Sequence, residues 1–409
     1  MDNKRKIIND PVFGFINIPD EFVYQIINHP YIQRLNRIKQ LGLAFYVYPG
    51  AVHTRFHHSL GAMHLMSEAI AQLRANGHSI SAEEKDAATA CILMHDIGHG
   101  PFSHVLENTL VNGIHHETIS LMLMNRMNED MNGKLSTAIE IFKDTYPKRF
   151  LHQLVSGQLD VDRLDYLRRD SFFTGVTEGN IGSARIIKML NLRDDKLVVE
   201  AKGIYSIENF LMARRLMYWQ VYLHKTAVAA EKMLINTLRR AKVLASQGVE
   251  LNVTPALHYF LYNPVDKTVF ESNPEALDFF VDLDDNDIWC ALKNWAKHPD
   301  KVLSLLSNGL VSRKLFKIKI HPEPVSEDFL KARINYFAEK YGLSLEDASF
   351  LISSDEISTN MYNEVDDSID ILYNDGSVKD ISNASDMLNI QLLSKKIKKY
   401  YFCFLRDSK

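Results

Sequence analysis

Two imidazoles and two carboxylates come from three short segments of this chain. His95 and Asp96 are adjacent in the central segment, His58 lies in an earlier one and Asp162 in a later one. Such a donor set suits a divalent ion of intermediate hardness and leaves coordination positions open for water and phosphate oxygens. The ion would acidify a bound water and polarise a phosphoryl oxygen, while nearby uncoordinated histidines would transfer protons. The pattern therefore indicates hydrolysis at phosphorus.

Three helices are predicted to position these residues. Apolar residues at helical spacing indicate a helix over residues 58–76, with His58 on its first turn. A second helix begins with the capping-box spacing of Ser81 and Glu84 and ends near Gly98, so the central pair lies at its end. A third helix carries a polar stripe typical of a substrate pocket, made of Asp162, Asp165, Tyr166, Arg169 and Asp170.

The blocks around these residues resemble the HD-domain phosphohydrolases, and among them the deoxynucleoside triphosphate triphosphohydrolases of animals and bacteria. The resemblance covers roughly residues 1–240 and rests on several separate blocks in one order. These blocks are Ile8–Pro11, Gln33–Gly42, Arg55–Gly61, His95–His104, Asp160–Asp170 and Tyr222–Lys225. It implies hydrolysis of a deoxynucleoside triphosphate to deoxynucleoside and triphosphate. It also implies one divalent ion per chain, with an additional Mg²⁺ bound with the nucleotide.

The resemblance assigns the ligands and the proton-transfer groups. His58 matches the family ligand, rather than His57, because it directly precedes Ser59-Leu60-Gly61. The metal ligands are then His58, His95, Asp96 and Asp162. The histidines around the scissile phosphate are His99, His104 and His116, with Glu107 orienting one of them. His116 is preferred to His115 because the family pattern is His-Glu, whereas Glu107 departs from the aspartate of relatives.

The same resemblance assigns the substrate contacts. Gln40 and Asp170 correspond to residues that hold the sugar 3′-hydroxyl, and Leu41 and Tyr166 to residues that crowd the 2′ carbon. The phosphate oxygens need directed donors, which are Arg55, Arg163 and Arg214, supported by Lys225 and Tyr166. Tyr218 and Tyr222 are expected at the pocket, although their helical spacing also fits plain core aromatics.

Composition narrows the class of protein. The 409 residues contain 47 Lys and Arg against 51 Asp and Glu, and this near balance speaks against a nucleic-acid partner. Three widely spaced cysteines fit a reducing compartment, and no apolar run has the length of a membrane span. We expect a soluble cytoplasmic protein.

The predicted organisation is mainly α, with small β-hairpins and a mixed α+β C-terminal region. Residues 1–247 would form the helical core and its N-terminal regulatory and oligomerisation segment, and residues 248–409 would pack on it. Within the core, residues 196–207 are expected to form a hairpin and residues 207–247 one long helix. Strands are expected near residues 315–320 and 400–404, with a hairpin over 369–381.

Regulation and alternatives follow from the same resemblance. We expect a homo-oligomer, a dimer or a tetramer, with a regulatory nucleotide bound through the N-terminal segment. Gln33 and Arg34 are retained there, but Asn28 and Asn36 occupy positions where relatives have charged residues that bind guanine. Activation by guanine nucleotides is therefore expected to be absent or relaxed. The alternatives are an HD-type nucleotide phosphomonoesterase or phosphodiesterase, and a nucleotide sensor without turnover.

Overall fold

The computed structural model describes residues 6–102, 104–107, 109–359, 368–386 and 397–406. The helices are α1 Glu21–Asn28, α2 Pro30–Arg34, α3 Arg55–Ala75, α4 Ala82–Met94, α5 His104–Glu107, α6 His116–Asp130, α7 Ser136–Phe142, α8 Phe150–Val155, α9 Val161–Thr174, α10 Ser183–Lys188, α11 Ile204–Met217, α12 Lys225–Ser246, α13 Pro255–Tyr262, α14 Lys267–Ser272, α15 Pro274–Asp282, α16 Asp285–Trp295, α17 Lys301–Val311, α18 Glu327–Tyr341, α19 Leu345–Ser349 and α20 Ile381–Ala384. The strands are β1 Lys6–Asp10, β2 Gly14–Ile18, β3 Val111–Asn112, β4 Leu190–Arg193, β5 Lys196–Glu200, β6 Val265–Asp266, β7 Lys317–His321, β8 Ile352–Thr359, β9 Asp370–Leu372, β10 Val378–Asp380 and β11 Ile397–Phe404. The mainly α fold with small sheets is confirmed.

Helix α3 is the central element, because α4 and α9 both pack against it. The three helices predicted around the candidate ligands are confirmed as α3, α4 and α9. The capping box of Ser81 and Glu84 starts α4, as the sequence predicts. A second capping box, formed by Thr54 and His57, starts α3. The cap uses the His57 ring, which leaves the adjacent His58 to face the interior.

The predicted long helix over residues 207–247 is wrong, because the chain forms two helices here. Helix α11 ends at Met217, residues Tyr218–Tyr222 form one π-helical turn, and α12 begins at Lys225. The His224 side chain accepts a hydrogen bond from the Thr226 N–H and so caps α12. Apolar spacing continues across the break, which is why the sequence pattern alone did not locate it. Single π turns often occur at functional sites.

The predicted hairpin over residues 196–207 is also wrong in its pairing. Strand β5 pairs with the preceding β4 through a tight turn at Asp194 and Asp195, which have φ values of 51° and 60°. Two successive residues with positive φ match the twist of a two-residue hairpin turn. Residues from Ile204 onward form helix α11 instead.

The C-terminal strands and the hairpin are confirmed as β7, β11 and the β9–β10 pair. Strand β11 lies between β7 and β8, and β9 adds to β5 in parallel, giving the order β10-β9-β5-β4. One continuous hydrophobic core contains residues from both sides of residue 247. The division of the chain at that residue stays a prediction. Among the described residues, every helix is too short or too polar to cross a membrane.

Candidate active site

Three of the predicted ligands converge between α3, α4 and α9. The Nε2 atoms of His58 and His95 lie 3.4 Å apart, and Asp162 Oδ1 lies 3.0 Å from the first and 3.6 Å from the second. Asp96 lies beside them, with Oδ1 3.4 Å from His95 Nε2. Its Oδ2 accepts a hydrogen bond of 2.5 Å from Arg55. The structure therefore brings all four sequence-predicted ligands to one place.

The donor set fits a divalent metal ion. His95 Nδ1 lies 2.6 Å from the Ile92 carbonyl oxygen, and His58 Nδ1 lies 2.7 Å from Asp165 Oδ2. Because both oxygens only accept, each Nδ1 carries a proton and each Nε2 atom faces the cluster, which is the orientation of metal-binding histidines. Burial alone would lower the pKa of His58, but hydrogen bonds with Asp162 and Asp165 outweigh it and raise the pKa to about 10. The pocket thus attracts positive charge.

Gly98 lets the loop after Asp96 pack closely on α6. A Cβ atom at Gly98 would lie 2.2 Å from the His116 carbonyl oxygen. Ser120 accepts a hydrogen bond from the Gly98 N–H and donates one to the His95 carbonyl oxygen. The close approach requires glycine, so α6 holds the end of α4 and the two ligands that follow it.

Two of the predicted proton-transfer histidines form a second cluster. The rings of His99 and His116 stack with centroids 3.8 Å apart, and His116 Nδ1 lies 3.0 Å from Glu107 Oε1. His99 Nε2 lies 3.3 Å from Asp96 Oδ1, which joins this cluster to the ligands. Burial, and then the charge of Arg55, lower the pKa of His99 to about 3. The side chain of His104 lies outside the described part of the structure.

A cavity of about 300 Å³ opens beside the ligands, and Arg55 lines this cavity while it donates a hydrogen bond to Asp96. Gln40 and Leu41 form one wall, and Tyr218 and Tyr222, on the π turn, form the other. The first wall is anchored by α16, because Asp285 accepts a hydrogen bond of 3.0 Å from the Lys39 N–H. The arrangement places an apolar and aromatic pocket next to a metal-binding cluster, which suits a ligand with a ring and phosphates.

Known proteins resemble this chain over nearly its whole length. The HD domain matches residues 55–170, and the HD associated region matches residues 181–251. A crystal structure of a phosphohydrolase from Bacteroides thetaiotaomicron is 66% identical with a TM-score of 0.96, covering 98% of this chain and 100% of that one. The uncharacterized protein YwfO of Bacillus subtilis is 30% identical over 94% of this chain and 88% of its own. The chain belongs to the HD-domain phosphohydrolases.

A more distant relative carries a named activity. The deoxynucleoside triphosphate triphosphohydrolase SAMHD1 homolog of Dictyostelium discoideum is 29% identical over 255 residues. The alignment covers 58% of this HD-domain phosphohydrolase and 49% of that protein. The chain thus matches about half the length of this relative.

The other predicted substrate residues of this HD-domain phosphohydrolase lie around the cavity without lining it. Asp170 is buried, and its Oδ2 accepts a hydrogen bond of 2.9 Å from the Tyr222 hydroxyl. The Tyr166 ring lies 6.1 Å from that of Tyr222. Arg163 is paired with Asp160. The remaining two are Arg214, whose Nη1 donates to Gln158 Oε1 at 3.1 Å, and Lys225, the exposed first residue of α12.

The N-terminal segment departs from the arrangement that the resemblance implies. Asn28 and Asn36 are exposed and hydrogen-bond within their own segment. Arg34, which the resemblance assigns to nucleotide binding, is only 1% exposed. Its guanidinium donates to the carbonyl oxygens of Ile97, His99 and Leu283. In this structure Arg34 holds the loop that follows the ligands and presents no donor to solvent.

The sequence analysis missed one site residue, His53, and was wrong about the surroundings of two others, Asp165 and Arg169. His53 Nε2 lies 2.7 Å from Asp170 Oδ1, and the His53 ring stacks on Phe173. Asp165 and Arg169 are turned away from the cavity and lie behind His58 as a buried ion pair. The prediction that this pair lies along a substrate pocket is wrong, because helical spacing shows which residues share a face of α9 but not that this part of the face packs on α3.

Proposed function

We propose that this phosphohydrolase converts deoxynucleoside triphosphates to deoxynucleosides and triphosphate. The observation that carries the proposal is the cavity beside the His/Asp cluster, with Arg55 shared between them. One end of such a cavity would hold the sugar and base, and the other would present the α-phosphate to the ligands. The similarity to a triphosphohydrolase of this family supports the same substrate class.

The chemistry is hydrolysis at the α-phosphorus. When bound, a divalent ion would acidify the attacking water and withdraw charge from the α-phosphoryl oxygen. The bond between phosphorus and the 5′ oxygen breaks, and the departing oxygen takes a proton from His116 or His104. Glu107 holds the ring of His116 in place, and Arg55 binds the phosphate oxygens while it remains paired with Asp96.

Recognition of the sugar rests on the walls of the cavity. Gln40 and the Asp170–Tyr222 pair would bind the 3′-hydroxyl, since their polar atoms lie on or next to the cavity. The Leu41 side chain and the Tyr166 ring would occupy the space that a 2′-hydroxyl needs. A pocket that excludes one hydroxyl sterically can give a large preference, whereas a permissive apolar pocket gives about a hundredfold or less.

Product analysis tests the reaction. The Mn²⁺-loaded protein is incubated with each of the four dNTPs, singly and mixed, and with ATP, and the products are separated by anion-exchange chromatography. Deoxynucleoside and triphosphate are expected, with little product from ATP. Orthophosphate would indicate a phosphomonoesterase, and a mononucleotide a different cleavage. Saturable binding without product would indicate a sensor.

Two matched variants test whether the reaction depends on the His/Asp cluster. Asp162→Asn removes a carboxylate from the centre of the ligands and is expected to abolish product formation. Asp195→Asn makes the same chemical change at an exposed turn with positive φ, where asparagine is well tolerated. Full activity in both variants would contradict the site, and loss in both would point to a general effect on the protein.

A further inference from the structure

A chain of four buried side chains connects the N-terminal hairpin to one candidate metal ligand. Asp165 Oδ2 lies 2.7 Å from His58 Nδ1, and Asp165 also accepts hydrogen bonds from Arg169 Nε and Nη2 at 3.0 and 2.9 Å. The other arm of the guanidinium, Nη1, donates to Asp10 Oδ2 at 2.7 Å. Asp10 is the last residue of β1. The side chains of His58, Asp165 and Arg169 are fully buried, and Asp10 is 7% exposed.

The far end of this chain is built into the hairpin turn. Asp10 Oδ1 accepts hydrogen bonds of 2.9 Å from the backbone N–H groups of both Val12 and Phe13. One carboxylate therefore shapes the turn between β1 and β2 with one oxygen and binds Arg169 with the other. Any shift of this turn moves the carboxylate that holds the arginine.

The other end of this chain of side chains, at His58, is tightly packed. On α3, a Cβ atom at Gly61 would lie 1.9 Å from Asp165 Oδ1 and 2.1 Å from Arg169 Nη2. Gly61 follows His58 by less than one helical turn. Helix α3 thus approaches the ion pair so closely that the ligand and its supporting carboxylate are fixed relative to each other.

We infer that Asp165, Arg169 and Asp10 are positioning residues for His58, and that the β1–β2 hairpin thereby helps to set the affinity of the site for its metal ion. A carboxylate on the far nitrogen of a metal-binding imidazole fixes its tautomer and ring orientation and raises its basicity. Arg169 holds that carboxylate from two sides, and Asp10 holds Arg169. The inference depends on the metal centre and not on which phosphate ester is hydrolysed.

Binding of Co²⁺ alone tests the inference without substrate. Affinity is measured by competition with a chelator, and the visible d–d bands report the coordination geometry. Asp165→Asn is expected to weaken Co²⁺ binding about 10- to 100-fold and to alter the bands. Asp10→Asn keeps an oxygen for the turn amides but loses the ion pair with Arg169. It is expected to weaken binding about three- to tenfold, because it acts one step further away.

Arg168→Ala is the matched control. Arg168 also contacts the hairpin, through the Val12 carbonyl oxygen at 3.1 Å and the Phe13 ring. It directly precedes Arg169 in the sequence but takes no part in the chain of ion pairs. It is expected to leave Co²⁺ affinity within about twofold of the wild type, below the effect of losing an outer-shell partner. Thermal unfolding of the metal-free proteins checks that each variant is folded.

The possible results either support or overturn the inference. Weaker binding with altered bands in Asp10→Asn, and normal binding in Arg168→Ala, support the inference. Wild-type affinity in Asp10→Asn would overturn it, as would an equal loss in Arg168→Ala, which would mean that any loosening of the hairpin suffices. A wild-type protein that binds no Co²⁺ would overturn it too. Where Asp165→Asn lowers the yield of folded protein, Asp10→Asn decides alone.

Discussion

Replacing Arg34 by methionine should destabilise the protein severely, because two distant segments of backbone depend on this side chain. Arg34 Nη1 donates to the carbonyl oxygens of Ile97 and His99 at 3.3 and 2.8 Å. Nε and Nη2 donate to the Leu283 carbonyl oxygen at 3.2 and 3.0 Å. Methionine has a similar length and no donor, so three buried carbonyl oxygens lose this partner.

The magnitude follows from that count. A buried acceptor left without a partner costs about 1–3 kcal/mol, so three cost about 3–9 kcal/mol before relaxation. Removing a buried positive charge offsets part of this loss. The free energy of unfolding should therefore fall by about 3–5 kcal/mol. Turnover should fall as well, since the loop of Ile97 and His99 continues directly from the metal ligands.

Urea unfolding followed by circular dichroism measures the effect, with Arg37→Met as the control. Arg37 lies three residues away and its side chain is 48% exposed, paired with Asp284. Asp284 is buried but keeps its hydrogen bond from the Asn286 N–H, so the loss of this half-exposed pair should cost only about 1 kcal/mol. Equal small losses in both variants would refute the reasoning. Normal stability of Arg34→Met combined with lost activation by a nucleotide would show that Arg34 binds a nucleotide, as the resemblance implies.

Four further outcomes are expected. His95→Ala and Asp96→Ala should abolish turnover while far-ultraviolet circular dichroism stays unchanged, and full metal occupancy with full activity in either variant would contradict the ligand assignment. Chelation should lower the melting temperature, because an ion that binds only the folded state at 100 times its Kd stabilises it by about 2.7 kcal/mol; an unchanged melting curve would argue against a metal centre. Tyr222→Phe, which removes the hydrogen bond to Asp170, should lower kcat/KM for dATP about tenfold, corresponding to one hydrogen bond to a charged group, whereas the exposed Tyr205→Phe should have no effect, and equal values in the two variants would remove Tyr222 from sugar recognition. Light scattering should give a dimer or a tetramer without activation of dATP hydrolysis by a non-hydrolysable dGTP analogue; a monomer, or strong activation by guanine nucleotides alone, would refute this expectation.

Local signals in the sequence predicted the helices that carry the site. Helical spacing of apolar or polar residues, together with a capping box for α4, predicted α3, α4 and α9, because these signals act within a few residues of chain. The same signals failed between residues 207 and 247. There the apolar spacing continues through the π turn, while the side chain of a single histidine, His224, caps a new helix.

The contacts that complete the site were beyond the reach of sequence patterns. Asp162 and Asp165 both lie on α9 and both approach His58, yet one bonds the Nε2 side and the other the Nδ1 side. Spacing on a helix places two carboxylates on one face but does not show which nitrogen of a distant ring each one meets. His53 was missed for the same reason, because its partner Asp170 lies far along the chain.

The sequence by itself determined the family, the main helices and the set of residues able to bind a metal ion, because residue type and short-range spacing encode donor chemistry and helical periodicity. The tertiary structure decided what each charged side chain does. Buried Arg34 binds the loop that follows the ligands, and Arg169 binds the N-terminal hairpin. The partners of both come from segments that only folding brings together. The role of a charged side chain depends on the groups that contact it, and residues far apart in the sequence can be in contact in the folded protein.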